Sequence, residues 1–208
     1  MNKQEVFSSI NHQVYNNWYW LKKGEDNSQK WLSKQFNQLH QKISLSSYYK
    51  KNLRTNTNII SNSKGYNWTP VYEDKNCRAG FLYLFPERGI PMHDHKQSIG
   101  ISLVLNGNPA IFQSHSPTTN KSFFQYIQAD KVTKKELKPG DISFIFPERN
   151  NIHGFNANHS ACLLFNIIFF ADNHLRNYYL PYSNIQENTK KKRNHTFLNK
   201  QFLPLIFY

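Results

Sequence analysis

The feature that most restricts the fold is a series of short β-rich segments that begins at Trp68. These segments are rich in Val, Ile, Phe, Tyr and Thr, and they are separated by Gly, Pro, Asn and Asp. The pattern is typical of antiparallel strands in a sandwich or barrel. Strands are predicted at 69–73, 80–85, 99–105, 109–115, 122–129, 131–137, 141–146 and 162–170. So many short strands in about 110 residues predict a mainly β fold of the jelly-roll kind.

Two turn sequences lie between these segments. Asn106-Gly107-Asn108 and Pro139-Gly140-Asp141 combine residues that favour tight turns. Asn-Gly between two β-rich segments is also a strong short-range signal for a hairpin. We therefore expect each of these turns to join two paired antiparallel strands.

The first part of the chain has a different pattern, in which apolar residues recur at helical spacing. They are Val6, Ile10, Val14, Trp18 and Leu21, then Leu32, Phe36, Leu39 and Ile43. This spacing predicts two amphipathic helices, with Asp26 and Ser28 as candidate caps of the second. We expect 1–67 to form a helical extension and connector, and 68–208 to form the β domain with a basic loop near 190–193. The extension has three open roles: a lid, an interface or a cover for the core.

The 208-residue chain carries 26 Lys and Arg against 13 Asp and Glu, a formal net charge of +13. Such an excess suits nucleic-acid binding where the cations cluster on one face. Here they are scattered, and the one dense run, Lys190–Arg193, lies in a polar segment typical of a solvated loop. The distribution favours a charge-solubilised surface over a nucleic-acid partner. A nuclear signal in that run is the weaker alternative to a solvated loop.

Membrane and disulfide-rich classes are disfavoured by the apolar runs and the cysteine content. A membrane span needs about 20 consecutive apolar residues, whereas the longest apolar run, at about 162–171, is interrupted by Asn166. The first residues, MNKQEVFSSINHQ, lack the apolar stretch of a signal peptide. Cys77 and Cys162 are too few for a disulfide framework. We expect a reducing, cytoplasmic compartment and no membrane partner.

Three histidines in the β-rich part are the candidate metal ligands. His93 and His95 lie two residues apart, so in an extended strand their imidazoles project to the same face while Asp94 points away. His153 follows a predicted strand and a turn around Pro147, and a chain reversal there would bring it opposite the pair. Imidazole suits Fe, Cu, Ni or Zn, so these ligands alone do not select the metal.

The segments around these histidines resemble the two motifs of the cupin superfamily. The first cupin motif has His-x-His, then an acidic ligand, then six residues and a Gly. In this chain six residues separate Gly100 from Gly107, so Gly100 takes the position of the usual acidic ligand. The second motif, with a Gly, a Pro and a later His, is matched by Gly140, Pro147 and His153. A set of three histidines without the acid is similar to that of the thiol dioxygenases.

A closer resemblance is to the family of cysteamine dioxygenases and plant cysteine oxidases. The first signature of that family is similar to the run Ile90–His95 followed by Gly100, Val104, Leu105 and Gly107. The second is similar to Asn151-Ile-His153 followed by the aliphatic segment 161–165. The resemblance covers about 80–182, half of the chain.

This resemblance implies both a fold and a function. The fold would be a cupin double-stranded β-helix with an N-terminal α-helical extension. One Fe(II) per chain would be bound by His93, His95 and His153. The enzyme would add O2 to the sulfur of a small aminothiol such as cysteamine, or of an N-terminal cysteine in a peptide, to give a sulfinic acid.

Departures from related enzymes bear on the substrate. A sister family, the cysteine dioxygenases, binds the substrate carboxylate through an Arg on the strand before the histidine motif. The apparent counterpart, Trp68–Tyr72, contains no Arg, which disfavours free cysteine as the substrate. Gly100 also replaces the Cys that forms a Cys-Tyr cross-link in those enzymes, so no such cross-link is expected.

Further residues are weaker candidates for a role in the site. His115 is a candidate hydrogen-bond partner of a ligand, and Gln97 and Tyr83 are candidates for the pocket wall. One of the tyrosines at 178, 179 and 182 is a candidate for an active-site hydroxyl, because the related enzymes have tyrosines near this point. Other classes of function stay open: a non-catalytic cupin that binds a metal or ligand as a sensor or regulatory module, and another metal-dependent cupin enzyme.

Overall fold

The structure, a computed structural model, describes residues 3–43, 65–95, 97–114 and 132–171. Three helices come first: α1 (Lys3–Asn16), α2 (Trp18–Leu21) and α3 (Asp26–Ile43). The described strands follow in chain order as β1 (Tyr66–Glu73), β2 (Cys77–Leu84), β3 (Gly89–Asp94), β4 (Ser98–Asn106), β5 (Ala110–Ser114), β6 (Thr133–Glu136), β7 (Ile142–Ile145), β8 (Ile152–Asn156) and β9 (Cys162–Phe170).

The strands form two antiparallel sheets. One has the order β1-β2-β9-β4-β7 and the other the order β3-β8-β5-β6. Most neighbours are distant in sequence, as in the pairs β2–β9, β4–β9 and β3–β8. This winding of the chain between two sheets is that of a double-stranded β-helix, so the predicted jelly roll with N-terminal helices is confirmed.

Both turn sequences form turns, but neither joins a hairpin. Asn106–Asn108 connects β4 to β5, and Pro139–Asp141 connects β6 to β7, and in each case the two strands lie in different sheets. Gly107 has φ +79° and Gly140 has φ +93°, values that glycine adopts without strain. The hairpin prediction is wrong because β4 pairs with β9 and β7 instead, which local sequence does not reveal.

The helices cover the outer face of the five-stranded sheet. Their buried apolar residues recur every three or four positions, as the helical period requires, at Val6, Phe7, Ile10, Val14, Leu21, Leu32, Phe36 and Leu39. These side chains share one core cluster with residues of β2, β4 and β9. The ring of Phe36 lies 6.0 Å from that of Phe165 on β9. Of the three roles left open for the extension, the described contacts match a cover for the core.

The loop between α2 and α3 also contacts and stabilises the turn that precedes His153. Lys22 forms an ion pair with Glu148, with 2.8 Å between Nζ and Oε1. The guanidinium of Arg149 donates a hydrogen bond of 3.1 Å to the carbonyl of Gly24. Gly24 has φ +66°, and a Cβ there would lie 2.5 Å from the Phe146 ring, so glycine permits this close approach.

A second core cluster lies between the two sheets. It combines Leu82, Leu84, Val104, Cys162 and Leu164 from the five-stranded sheet with Ile111, Phe155 and others. These residues close one end of the barrel. Side chains alternate along a strand, so every second residue of β2, β4 and β9 faces the space between the sheets. On this face, the residues at the opposite end of the barrel are Arg78 of β2, Ser98 of β4 and Ile168 of β9.

Several element boundaries differ from the sequence prediction. The first predicted helix breaks at Asn17, whose φ of −107° and ψ of 8° are not helical. Asp26 is the first residue of α3 and not its cap, and the Ser28 hydroxyl donates to the carbonyl of Trp20. Residues 152–156 form a strand that was not among the predicted ones. The predicted strand 122–129 and most of the predicted connector lie outside the described residues.

Within the described part of the chain, no helix is long and apolar enough to cross a membrane.

Candidate metal centre

The three histidines meet at the end of the barrel opposite the inter-sheet apolar core. His93 lies on β3 and His95 follows that strand directly, so strand alternation places their rings on one side. His153 lies on β8, where it is paired with His93 in the antiparallel register. The strand pairing therefore brings together residues that are 58 or more positions apart along the chain.

Each imidazole offers a nitrogen, and these nitrogens all lie within 4.8 Å of one another. Nε2 of His93 lies 2.7 Å from Nε2 of His95, and the ring centroids of His93 and His153 are 4.5 Å apart. All three residues are buried, at 5 to 6% exposure. No carboxylate joins this cluster among the described residues. Asp94, next to both ligating positions, is itself buried.

Burial keeps the three imidazoles neutral. It lowers the pKa of His93, although the hydrogen bond with the Pro91 carbonyl opposes this effect. It lowers the pKa of His95 and of His153 further, with added repulsion from neighbouring histidines and, for His95, from Arg78. Neutral imidazole is the form that binds a metal, so no proton has to be displaced near pH 7.

The hydrogen bonds of the histidines leave nitrogens available. Nδ1 of His93 lies 2.9 Å from the Pro91 carbonyl, a contact that requires a proton on Nδ1 and leaves Nε2 as the lone-pair nitrogen. Nδ1 of His95 and Nδ1 of His153 are buried without a hydrogen-bond partner among the described residues. Buried polar nitrogens without partners cost free energy in a core.

The position of the usual cupin acid has no side chain, and the structure leaves no room for one. Gly100 lies on β4, opposite Ile145 of β7, and a Cβ on Gly100 would overlap the Ile145 side chain. No side chain larger than hydrogen fits there without movement of Ile145. Because three neutral imidazoles carry no charge, a divalent ion at this site would keep its full charge of +2.

Three polar residues at inward-facing strand positions were missed by the sequence analysis. Gln113 of β5 is paired with His153 of β8, and its Nε2 donates a hydrogen bond of 2.8 Å to the Phe144 carbonyl of the other sheet. Asn166 of β9 has a buried Oδ1 with no hydrogen-bond partner among the described residues. Arg78 of β2 acts electrostatically on His95. The strand register shows that these residues face inward, and the register is known only from the tertiary structure.

The weaker candidates fall in different places. Tyr83 lies on the helix-covered face of β2, with its ring 5.1 Å from that of Phe85, and its role in the pocket wall stays a prediction. Strand alternation turns it away from the barrel interior. Gln97 lies in the β3–β4 turn with an exposed side chain and φ +52°, and its pocket role stays a prediction. His115 and the tyrosines at 178, 179 and 182 lie outside the described residues.

Two antiparallel sheets wound as a double-stranded β-helix, with a histidine cluster at one end, define a cupin. Within that class, the chain belongs to the PCO_ADO family, whose members are plant cysteine oxidases and cysteamine dioxygenases: the family model matches residues 33–202. The family points to thiol dioxygenase enzymes. No curated protein matches the sequence significantly.

Solved structures resemble the chain in fold over about half its length. A protein with a double-stranded β-helix domain from Klebsiella pneumoniae is 17% identical, with a TM-score of 0.41, over 54% of this chain and 84% of that chain. KdgF from Halomonas sp. is 16% identical, with a TM-score of 0.38, over 50% and 78%. A cupin superfamily protein from Desulfitobacterium hafniense is 10% identical, with a TM-score of 0.37, over 50% and 77%.

Proposed function

We propose that this chain is a non-haem iron thiol dioxygenase that converts a small aminothiol or an N-terminal cysteine to a sulfinic acid. The reaction takes one thiol and one O2, and both oxygen atoms end on the sulfur, so no further reductant is needed. The observation that carries the proposal is the cluster of three buried neutral imidazoles without a carboxylate, in a chain of this family.

The residues fit the ion that this function requires. His93, His95 and His153 would hold one Fe(II), because their ligand nitrogens converge and their pKa values are lowered. Imidazole is a suitable ligand for iron. When bound there, iron(II) would supply the redox chemistry of oxygen transfer to sulfur.

The protein's own contribution is to shape and polarise the space beside the histidines. Gly100 leaves the wall opposite them without a side chain, and Ile145 covers it. Asn166 stands at an inward-facing position of β9, and its unpartnered Oδ1 can accept a hydrogen bond from the amine of the substrate. Gln113 ties the two sheets together beside His153 and so maintains the width of this space.

Metal analysis and oxygen uptake test the proposal together. Purified full-length protein is expected to contain about one iron per chain and to consume O2 when cysteamine, cysteine or a Cys-initiated peptide is added. Mass spectrometry of the product should show a gain of two oxygen atoms. Bound metal without O2 uptake on any thiol would overturn the proposal and favour a sensor or regulatory cupin. Zinc as the native metal would overturn it too.

A further inference from the structure

A fourth polar side chain projects to the same side of the strands as the three histidines. Asn151 directly precedes β8, and its carbonyl accepts a hydrogen bond of 3.2 Å from the backbone N–H of His95. Asp94 pairs with Ile152 at the neighbouring register position. Asn151 is therefore directly opposite His95 in the same register. Because alternate residues share a face, the side chain of Asn151 also projects to the side of His153.

Asn151 and His95 each have a buried polar atom that makes no hydrogen bond with the described residues. These atoms are Oδ1 of Asn151 and Nδ1 of His95. The first is an acceptor, and the second is a donor when it carries the ring proton. The Cβ atoms of directly opposite residues lie about 4.5 to 5.5 Å apart, so the two side chains are within reach of each other. Side-chain rotation can join them in a hydrogen bond that satisfies both atoms.

Metal binding creates a need for such an acceptor at His95. Nε2 of His95 is the ring nitrogen that approaches the other histidines, at 2.7 Å from Nε2 of His93. An ion bound there would take the lone pair of Nε2 and leave the ring proton on Nδ1. Histidines that bind metals almost always donate this second N–H to an acceptor, which fixes the tautomer and the orientation of the ring. For His93 that acceptor is the Pro91 carbonyl.

The register favours Asn151 over the other buried amide oxygen without a partner in the described part of the chain. Oδ1 of Asn166 is that atom, but Asn166 lies on β9 of the five-stranded sheet, between Gly80 and Ser102. His95 and Asn151 continue the β3–β8 pair of the other sheet. Facing sheets lie about 10 Å apart, about twice the distance between residues that are directly opposite on paired strands.

We propose that Asn151 is a positioning residue for His95: its Oδ1 accepts the Nδ1 proton of His95 and so fixes the ring with Nε2 toward the ion. The inference rests on the metal-binding part of the proposed function. It goes beyond that function because it assigns a role to a residue that binds neither the metal nor the substrate.

Anaerobic titration of the metal-free, full-length protein with iron(II), in the presence of a competing chelator, measures the metal affinity without turnover. Asn151→Leu retains a side chain of similar size without the acceptor, and it is expected to weaken iron(II) binding by about 10- to 100-fold. Asn151→Asp keeps an acceptor at the same position and should restore the affinity. Since Oδ1 has no partner among the described residues, Asn151→Leu should leave the urea midpoint of the metal-free protein unchanged or raise it.

The matched controls are at Asn150, the neighbouring asparagine in the same turn. Asn150 has φ +54°, a value that glycine adopts without strain, so Asn150→Gly removes an amide and preserves the backbone. This variant should bind iron(II) as tightly as the wild type. Asn150→Asp combined with Asn151→Leu adds the charge of Asn151→Asp one residue away. It should not restore the affinity, because charge alone does not replace the acceptor.

Nitrogen NMR of the zinc-loaded protein provides a readout that a merely structural role of Asn151 would not change. Zinc(II) is diamagnetic and binds sets of three imidazoles. The Nδ1 proton of His93, which the Pro91 carbonyl accepts, serves as the internal reference. Asn151→Leu should shift or remove the Nδ1 proton signal of His95 and leave that of His93 in place.

The outcomes separate this proposal from the dioxygenase function. The Asn151 assignment is overturned if Asn151→Leu binds iron(II) as tightly as the wild type, or if both ring-proton signals are unchanged in the zinc-loaded variant. A loss of metal affinity in Asn151→Leu that Asn151→Asp restores, in a protein that consumes no O2 with any thiol, would support the Asn151 assignment and overturn the dioxygenase function.

Discussion

At the scale of single residues, the site depends on imidazoles that stay neutral in a buried place. Water would favour the charged form of each histidine, and its removal lowers the pKa of all three. The hydrogen bond of His93 with the Pro91 carbonyl orients one ring. The other two have buried Nδ1 atoms without hydrogen-bond partners among the described residues.

The first prediction at this scale is that His153→Ala abolishes both iron retention and thiol-dependent O2 uptake. Without His153, the remaining imidazoles are those of His93 and His95, which lie on one strand segment. They cannot hold an ion that also needs a ligand from the paired strand β8. The measurement is iron per chain by elemental analysis together with oxygen electrode traces. His159→Ala is the matched control, because that side chain is 98% exposed. Full iron content in His153→Ala would contradict the ligand assignment.

The second prediction concerns Asn166, where stability and activity should move in opposite directions. Asn166→Leu replaces a buried, unpartnered carbonyl by an apolar side chain of similar size, which should stabilise the fold by about 1 kcal/mol. Loss of the hydrogen-bond acceptor should at the same time lower O2 uptake about tenfold. Urea denaturation and initial rates provide the two measurements. A clear loss of stability would instead assign Asn166 a structural hydrogen bond.

At the scale of elements, the helices complete the core on one side of the barrel. Strands β4 and β9 have apolar residues on both faces: one set packs between the sheets and the other against α1 and α3. A sheet that is apolar on both faces is stable only when a further layer covers it. The extension therefore maintains the site indirectly, by holding the sheet and the turn before His153 in place.

The prediction at this scale is that Phe36→Ala destabilises the whole protein. Phe36 is 1% exposed and packs against Phe165, so truncation leaves a cavity that should cost about 3 to 5 kcal/mol. Chemical denaturation followed by circular dichroism measures the loss. Tyr15→Ala, at a residue that is 50% exposed on α1, should change the free energy of unfolding little. If Phe36→Ala matched that control, the helices would not share the core of the sheet.

At the scale of the whole molecule, the buried histidines make stability depend on pH. Their folded-state pKa values lie below the ordinary value of about 6.5, so below that pH the unfolded chain binds more protons than the folded one. The stability that they contribute is therefore present above about pH 6.5 and is lost as the pH falls toward their folded-state pKa values.

The metal-free protein is accordingly expected to show a steep fall in unfolding free energy as the pH falls below about 6.5. Three protons give a slope of at most about 4 kcal/mol per pH unit. The measurement is the urea midpoint between pH 5 and 8 in the presence of a chelator. A variant with glutamine at 93, 95 and 153 should have a much flatter profile. An equally steep profile in that variant would assign the effect to other groups.

Local sequence patterns are sufficient to predict the parts of this protein that rest on local geometry. The period of two in a strand places His93 and His95 on one face, and the periods of three and four place the buried residues of α1 and α3. The β-rich segments with turn residues between them indicated the jelly roll, and the motif around 90–107 indicated the family.

Which strands are neighbours depends on tertiary contacts, because pairing energy comes from contacts between distant segments and not from propensity. For that reason Asn106–Asn108 joins two sheets and is not a hairpin. The pairing of β3 with β8 brings His153 to the other histidines, and the register of β2 and β9 turns Arg78 and Asn166 inward. Local spacing carries no information about such residues, since their positions depend on the register between strands that are distant in sequence.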